Sequence, residues 1–197
     1  YALNAFLQTC NVVPNVVCGV GVGEYVAAVV AGCVSLEDGM WLAIRGQNES
    51  HETQRKICHG KPKRVMIASL DGHRVATDKD LSDEYWIGHT SKTVNYADIS
   101  DTLVRENCSL FVEFGNGKFH DSVSGCLKEE QSCIWLSCMG SSNDDEKQIL
   151  ETLARLFVQG VDIDWKKVNN DSKKRKVLLP TYPFKSENRY WFSEDSF

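Results

Sequence analysis

Three glycines on alternate positions, Gly19, Gly21 and Gly23, end one apolar run and open another, VVPNVVCGVGVGEYVAAVVAG from Val12 to Gly32. Strand, sharp turn and helix in that order form a nucleophile elbow, G-x-S-x-G, whose strained turn lifts a serine hydroxyl clear of the sheet. Here Gly21 occupies the centre and Val20 precedes it. The frame of a catalytic site is present and the attacking hydroxyl is not. The same glycines could open a dinucleotide loop, but the G-x-x-G ending and a following strand with an acidic end are missing. Cys58-His59 pairs a thiol with a base, yet sequence neighbours rarely face each other, and an incidental pair in a polar linker is the stronger reading. Cys133 and Cys138 have poor spacing for metal ligands and lie in an apolar run, so they read as core. No cofactor and no metal site is assigned. The basic run Lys173-Lys174-Arg175-Lys176 reads as a solvated loop.

The elements that must position the elbow are set by pattern. Tyr1 to Cys10 carries Leu3, Phe6 and Leu7 at helical spacing. Val12 to Cys18 reads as a buried strand, with a proline near its start. Gly23 to Ala31 reads as a helix of small residues that packs close to the sheet, capped by Gly32. Ser35-x-x-Asp38 is a capping box for the next helix. Gln47 to Lys63 is polar and aperiodic, a linker. Arg64 to Leu70 is a strand, and Asp71-Gly72 is a hairpin signal before HRVAT. Ala97 to Glu106 reads as a helix. Leu110 to Gly117 is an apolar segment ending in glycines, and Ser132 to Met139 is a further buried strand. Asn143 to Gln159 is a helix with Ile149, Leu150, Leu153, Leu156 and Phe157 on one stripe and Gly160 as its stop.

With 197 residues, 42% apolar and 25% charged, the chain is an ordinary globular domain or a domain with a tail. A net charge of -5 gives no bulk attraction to nucleic acid. No apolar run is long enough to span a membrane, and no signal-peptide pattern opens the chain. The eight cysteines read as reduced, small buried hydrophobes, with Cys18, Cys33, Cys108, Cys133 and Cys138 inside apolar runs. A cytoplasmic location is expected. The first residue is Tyr1, inside a helical pattern, so a piece of a longer polypeptide is expected.

Gly19 to Gly32 resembles the active-site segment of the acyltransferase domains of polyketide and fatty acid synthases, whose elbow reads G-H-S-x-G-E-Y. Val20 stands in the place of the family histidine and Gly21 in that of the serine. AGCVSLEDGMWLAIRG resembles the family's A-G-V-x-S-L-E-D-A-x-x-L-x-x-x-R-G, one residue shorter before Arg45. In the family that arginine grips the malonyl carboxylate at two points. One helical residue fewer rotates the later side chains by about 100°, so Arg45 is expected off the family direction. Ser69 and Gly72 remain from S-x-x-T-G. Tyr85, Trp86 and His89 match Y-W-x-x-H, and VNYAD from Val94 resembles V-x-F-x-x. LFVEFGNG looks like L-x-E-x-G-P-G, with Asn116 for proline. Val161 to Trp165, with Leu178 to Trp191 (LLPTYPFKSENRYW), resembles the end of the acyltransferase and the linker behind it, L-P-T-Y-P-F and then R-Y-W.

The resemblance implies an α/β fold: a parallel-sheet core with the elbow strand near its centre, helices on both faces and an extended C-terminal linker. Residues 1–160 are the acyltransferase-like core and 161–197 the linker. Residues 47–63 stand where the family inserts a ferredoxin-like small subdomain, which is expected to be missing. That region also supplies the family's catalytic histidine, in a motif ending Phe-His. No such pair lies between Arg45 and Arg64, and His51 and His59 lack the family context. The oxyanion residue of the early strand is expected before Tyr1 or is absent. His89 and Arg45 read as structural remnants.

The resemblance and its gaps together imply a chain that is not an enzyme but a scaffold or docking domain in a polyketide synthase, of the kind found where a separate enzyme loads the carrier. It would position the ketosynthase of the same polypeptide and present a surface to an acyl carrier protein or a trans-acting acyltransferase. Leu178, Pro180, Tyr182, Pro183, Phe184, Tyr190 and Trp191 would make the partner contacts. Two alternatives stay open: acyl transfer or hydrolysis through a non-family nucleophile, and a structural spacer with no partner beyond its own chain.

Overall fold

The apolar run behind Pro14 narrows to a short strand, β1 (Val16–Cys18), and the small-residue helix α2 (Val22–Ala31) begins after a three-residue turn. These elements belong to a computed structural model that describes residues 1–45, 57, 60–77, 80–89, 91–115, 117–127, 133–139, 144–169 and 177–183. Helix α1 (Ala2–Thr9) precedes β1, and α3 (Leu36–Arg45) comes after α2. Gly32 ends α2 in the left-handed conformation, and Ser35 Oγ accepts the Asp38 N–H at 3.0 Å to start α3. Most of the 47–63 linker lies outside the described residues.

Strand β2 (Val65–Ile67) returns parallel to β1, with Val16 opposite Val65 and Cys18 opposite Ile67. A parallel pair requires a crossover, and α2 and α3 lie within it. The Asp71-Gly72 turn then reverses the chain, so that Ile67 bridges Arg74 in antiparallel sense. Helix α4 (Asp83–His89) and helix α5 (Tyr96–Arg105) come next. Asn95 caps α5 by accepting the Asp98 N–H at 3.2 Å. Strand β3 (Leu110–Glu113), helix α6 (Lys118–Ser124) and strand β4 (Ile134–Ser137) form the second crossover unit, again parallel, with Leu110 opposite Ile134. Helix α7 (Asp145–Val158) closes this unit, its first turn capped by Asp144.

The fold is α/β with parallel strands, as expected. Among the described residues, however, the strands make two separate ladders, β1–β2 and β3–β4, in place of one continuous sheet. A shared core joins them: Ile67, Ile99, Leu103 and Val123 are buried against Val16 and Cys18 of the first pair and Phe111 and Trp135 of the second. A second buried cluster lies under α2 and includes Tyr25, Ala28, Leu42, Met66 and Trp86.

The α7 stripe needs correction. Leu153 and Leu156 are buried, but Leu150 is 42% exposed and Phe157 53% exposed. The polar helix α6 has no counterpart among the elements expected from the sequence.

The chain divides into Tyr1–Asp164 and Trp165–Phe197. The second unit holds the one-turn helix α8 (Trp165–Val168) and a stretch without regular structure over 177–183.

Candidate functional site

The elbow is built from β1, the three residues after it and the first turn of α2. Gly21 has φ 57° and ψ -129°, a conformation most side chains resist, since positive φ crowds Cβ. A Cβ at Gly21 would nonetheless meet no atom within 4 Å, and the residue is exposed. At Gly19 a Cβ would run into the Gly23 carbonyl, so the turn closes only without a side chain there. The Gly23 N–H donates to the Val20 carbonyl and the Glu24 N–H to the Gly21 carbonyl, both at 3.0 Å. The strained frame of an elbow is thus present, with an open position at its apex and no hydroxyl. Val20 is half-buried beside it.

In the first turn of α2, Glu24 is sealed from solvent. Its carboxylate accepts the Ser69 N–H at 2.7 Å and the Ser69 hydroxyl. It also accepts the Tyr85 hydroxyl, and His89 Nε2 lies 2.6 Å away. These donors come from α4 and from the end of β2, so one carboxylate ties three elements together. The donors of Ser69, Tyr85 and His89 fill the acceptor positions of both carboxyl oxygens. The carboxylate leaves no lone pair facing solvent to serve a substrate.

Burial, then the Glu24 charge, pushes the Tyr85 phenol up, and the same two causes raise Tyr25, whose pKa the Arg45 charge draws back down. The rings of Tyr25, Trp86 and His89 pack with centroids 5.1–5.8 Å apart. Trp86 Nε1 and His89 Nδ1 are buried without a hydrogen-bond partner.

In the sequence, Glu24, Ser69, and Tyr85 with His89 stand in three separate segments, each matched to its own motif of the acyltransferase resemblance, with nothing that pairs the three motifs with one another. The available signal was an acidic residue inside an otherwise apolar helix, which must find donors if it is buried.

No other nucleophile stands ready at the elbow. Burial, with the Glu24 charge second, pushes the Cys18 thiol up to about 12, where almost no thiolate exists at neutral pH. Burial alone takes Cys33 to about 11. Cys58 and His59 lie outside the described residues, as does the basic run from Lys173. No cluster of metal-ligating side chains occurs among the described residues, and Cys138 is buried core.

Arg45 is half-buried at the end of α3, and its guanidinium carbon lies 5.2 Å from the centroid of the Trp41 ring. In the tail, Leu178 is 97% and Tyr182 73% exposed, and Pro180 and Pro183 are exposed too. Phe184, Tyr190 and Trp191 lie outside the described residues.

No protein-family model matches the chain. Over 148 residues, 73% of its length, it is 29% identical to the spectinabilin polyketide synthase system protein NorB of Streptomyces orinoci. It is 28% identical over 196 residues, 96% of its length, to NorC of the same system and organism. The matched stretches are 7% and 8% of those proteins. Among solved structures, the acyltransferase domain from the second module of the salinomycin polyketide synthase superposes with a TM-score of 0.73 at 20% identity. That match covers 90% of this chain and 62% of the domain. The acyltransferase domain of ZmaA gives 0.73 at 19% identity, covering 91% of this chain and 62% of that one.

The fold is that of a polyketide synthase acyltransferase domain. This corrects the expectation of a chain that is not an enzyme: the solved domains with its fold are acyltransferases, so the architecture is an enzyme's. The chain spans about three fifths of those domains and under a tenth of the synthase proteins it matches. Among the described residues no helix is long and apolar enough to cross a membrane.

Proposed function

We propose that this acyltransferase-fold domain serves a polyketide synthase as a positioning and docking element. It would hold the ketosynthase of the same polypeptide and offer a surface to an acyl carrier protein or a trans-acting acyltransferase. The observation that carries this reading is Gly21 at the apex of an otherwise intact elbow. The exposed Leu178, Pro180, Tyr182 and Pro183 support it from the other unit, since apolar side chains left in water favour a partner surface. Tethering would raise the effective concentration of the partners.

The decisive measurement is association with a ketosynthase, in trans, before and after deletion of residues 178–191. Loss of binding on deletion supports the reading, and unchanged binding removes it.

A second reading, acyl transfer by the domain, is favoured by the acyltransferase fold and the preserved elbow geometry. Incubation with acyl-CoA thioesters and then intact mass measurement separates the two. A stable adduct, or label moved onto a carrier at an enzymatic rate, selects transfer.

A further inference from the structure

The two ladders end differently. Beyond β2 the chain folds back on itself. The Ala68 N–H donates to the His73 carbonyl at 2.9 Å and the Val75 N–H to the Met66 carbonyl at 2.8 Å, so the outer edge of that strand is paired. Beyond β4 no strand follows among the described residues. The Ile134 N–H donates to the Ser109 carbonyl and the Cys138 N–H to the Glu113 carbonyl. Backbone groups point to alternate sides along a strand. Ile134, Leu136 and Cys138 therefore turn theirs toward β3, and Cys133, Trp135 and Ser137 turn theirs outward.

One group on that outer edge is filled. The Ser137 carbonyl accepts Gln148 Nε2 at 2.9 Å and Thr152 Oγ1 at 3.0 Å, both from α7. Among the described residues no bond reaches the Trp135 N–H, the Trp135 carbonyl or the Ser137 N–H. Exposed edges are usually blunted by charge, proline or a bulge. Residues 133–139, CIWLSCM, hold no charge and no proline, and β4 pairs with β3 residue for residue.

We infer that this edge pairs with the same edge of a second copy of the chain, antiparallel, with Trp135 opposite the partner's Trp135. Opposed residues of an antiparallel pair exchange both N–H···O bonds. Centred on Trp135, the pairing joins each Trp135 N–H to the partner's Trp135 carbonyl and each Ser137 N–H to the partner's Cys133 carbonyl. Only the Cys133 N–H, at the end of the pairing, meets a carbonyl already filled. Centred on Leu136 instead, the Trp135 N–H would face the filled Ser137 carbonyl, so the first register satisfies more of the edge. A second copy fits because the open donors and acceptors complement themselves in that register, as a two-fold contact requires. The uncharged strand also meets its copy without like charges opposed across the pair, and the two tryptophans form a cross-strand aromatic pair. This inference is independent of the function proposed above.

The test is sedimentation velocity of the purified chain from low to high micromolar concentration, with amide hydrogen exchange read at both ends. The mean mass should rise toward twice that of the monomer, and exchange at the Trp135 and Ser137 amides should slow by about tenfold or more as the chains pair. Ser137→Pro removes an outward N–H and no ladder bond, a place where an edge strand accepts proline. It should stay folded and monomeric where the parent pairs, and Ser137→Ala, which keeps the N–H, should pair like the parent. Should Ser137→Pro not fold, the parent's exchange rates decide. A chain that is monomeric throughout overturns the inference and leaves the edge to a strand of another protein. Pairing with no slowing at the Trp135 and Ser137 amides overturns it too, since the contact then lies elsewhere.

Discussion

His89 Nε2 lies 2.6 Å from the Glu24 carboxylate, and both side chains are shut away from water. The helix that carries the elbow is thereby locked to α4, far along the sequence. Around the same carboxylate stand the Ser69 amide and hydroxyl and the Tyr85 hydroxyl. The elbow frame persists because its helix is held from behind by this knot, whatever stands at the apex.

Glu24→Ala should therefore be among the costliest single changes. It strands the buried donors of Ser69, Tyr85 and His89, each at about 1–3 kcal/mol. Because the effects overlap, a loss of about 3–5 kcal/mol by urea unfolding is expected. Glu106→Gln is the control: its partner Arg74 lies 3.2 Å away with a side chain more than half exposed, and surface pairs are worth about 0–1 kcal/mol. Similar losses for the two variants would refute the role of the knot.

Buried thiols give a pH dependence with a definite sign. The Cys18 pKa rises from 9.0 to about 12 on folding, by burial first and the Glu24 charge second. The unfolded chain ionises at the lower value, so the stabilisation is complete below pH 9 and is lost as pH climbs from 9 toward 12. Cys33 and Cys138, raised to about 11 by burial, act in the same direction. Denaturant midpoints measured between about pH 8 and 11 should fall, and Cys18→Ala should flatten the fall. At about pH 7.5, iodoacetamide should label Cys126, which is exposed, well before Cys18. A midpoint constant to about pH 11 would contradict the assignment of these thiols.

Much of this fold is legible because its signals are local. The Gly32 cap, the Ser35–Asp38 contact, the Asp71-Gly72 turn and the boundaries of α5 and α7 each depend on residues a few positions apart. Helix α6 is not legible: KFHDSVS buries only Val123 and offers no periodic face. The Glu24 knot is not legible either, because its partners stand 45 and 61 residues away and no pattern in α2 names them. Among the described residues the strands form two ladders and not one sheet, for a related reason. Apolar runs mark strands, but which strands pair is decided by crossovers and by side chains such as Phe111 and Trp135.

The α7 stripe supplies a direct comparison of reading and structure. Leu153 is fully buried and Leu150 is 42% exposed, though both lie on the apolar stripe. Leu153→Ala should cost about 2–5 kcal/mol, the range for emptying a core position. Leu150→Ala should stay within about 0.5–1 kcal/mol, since its side chain keeps water contact. Equal losses in thermal or urea unfolding would show that something covers Leu150 in the folded chain.

The elbow glycines separate space from backbone strain. At Gly19, alanine would drive a methyl into the Gly23 carbonyl, and the turn must open to admit it. At Gly21, alanine meets open space and is opposed only by the backbone, φ 57° with ψ -129°, a sparsely populated conformation that costs an L-residue about 1–3 kcal/mol. Gly19→Ala should thus destabilise by clearly more than Gly21→Ala, read by urea unfolding. Gly21→Ser rests on the same geometry. It should fold, at the Gly21→Ala penalty, and carry an exposed hydroxyl at the elbow apex. Serine-directed fluorophosphonate labelling of that variant tests whether the surroundings still activate a nucleophile. Labelling at residue 21, absent from the parent, would show the machinery around the apex to be functional and favour transfer as the second reading. A folded variant that stays unlabelled would leave the apex as a frame alone and favour docking.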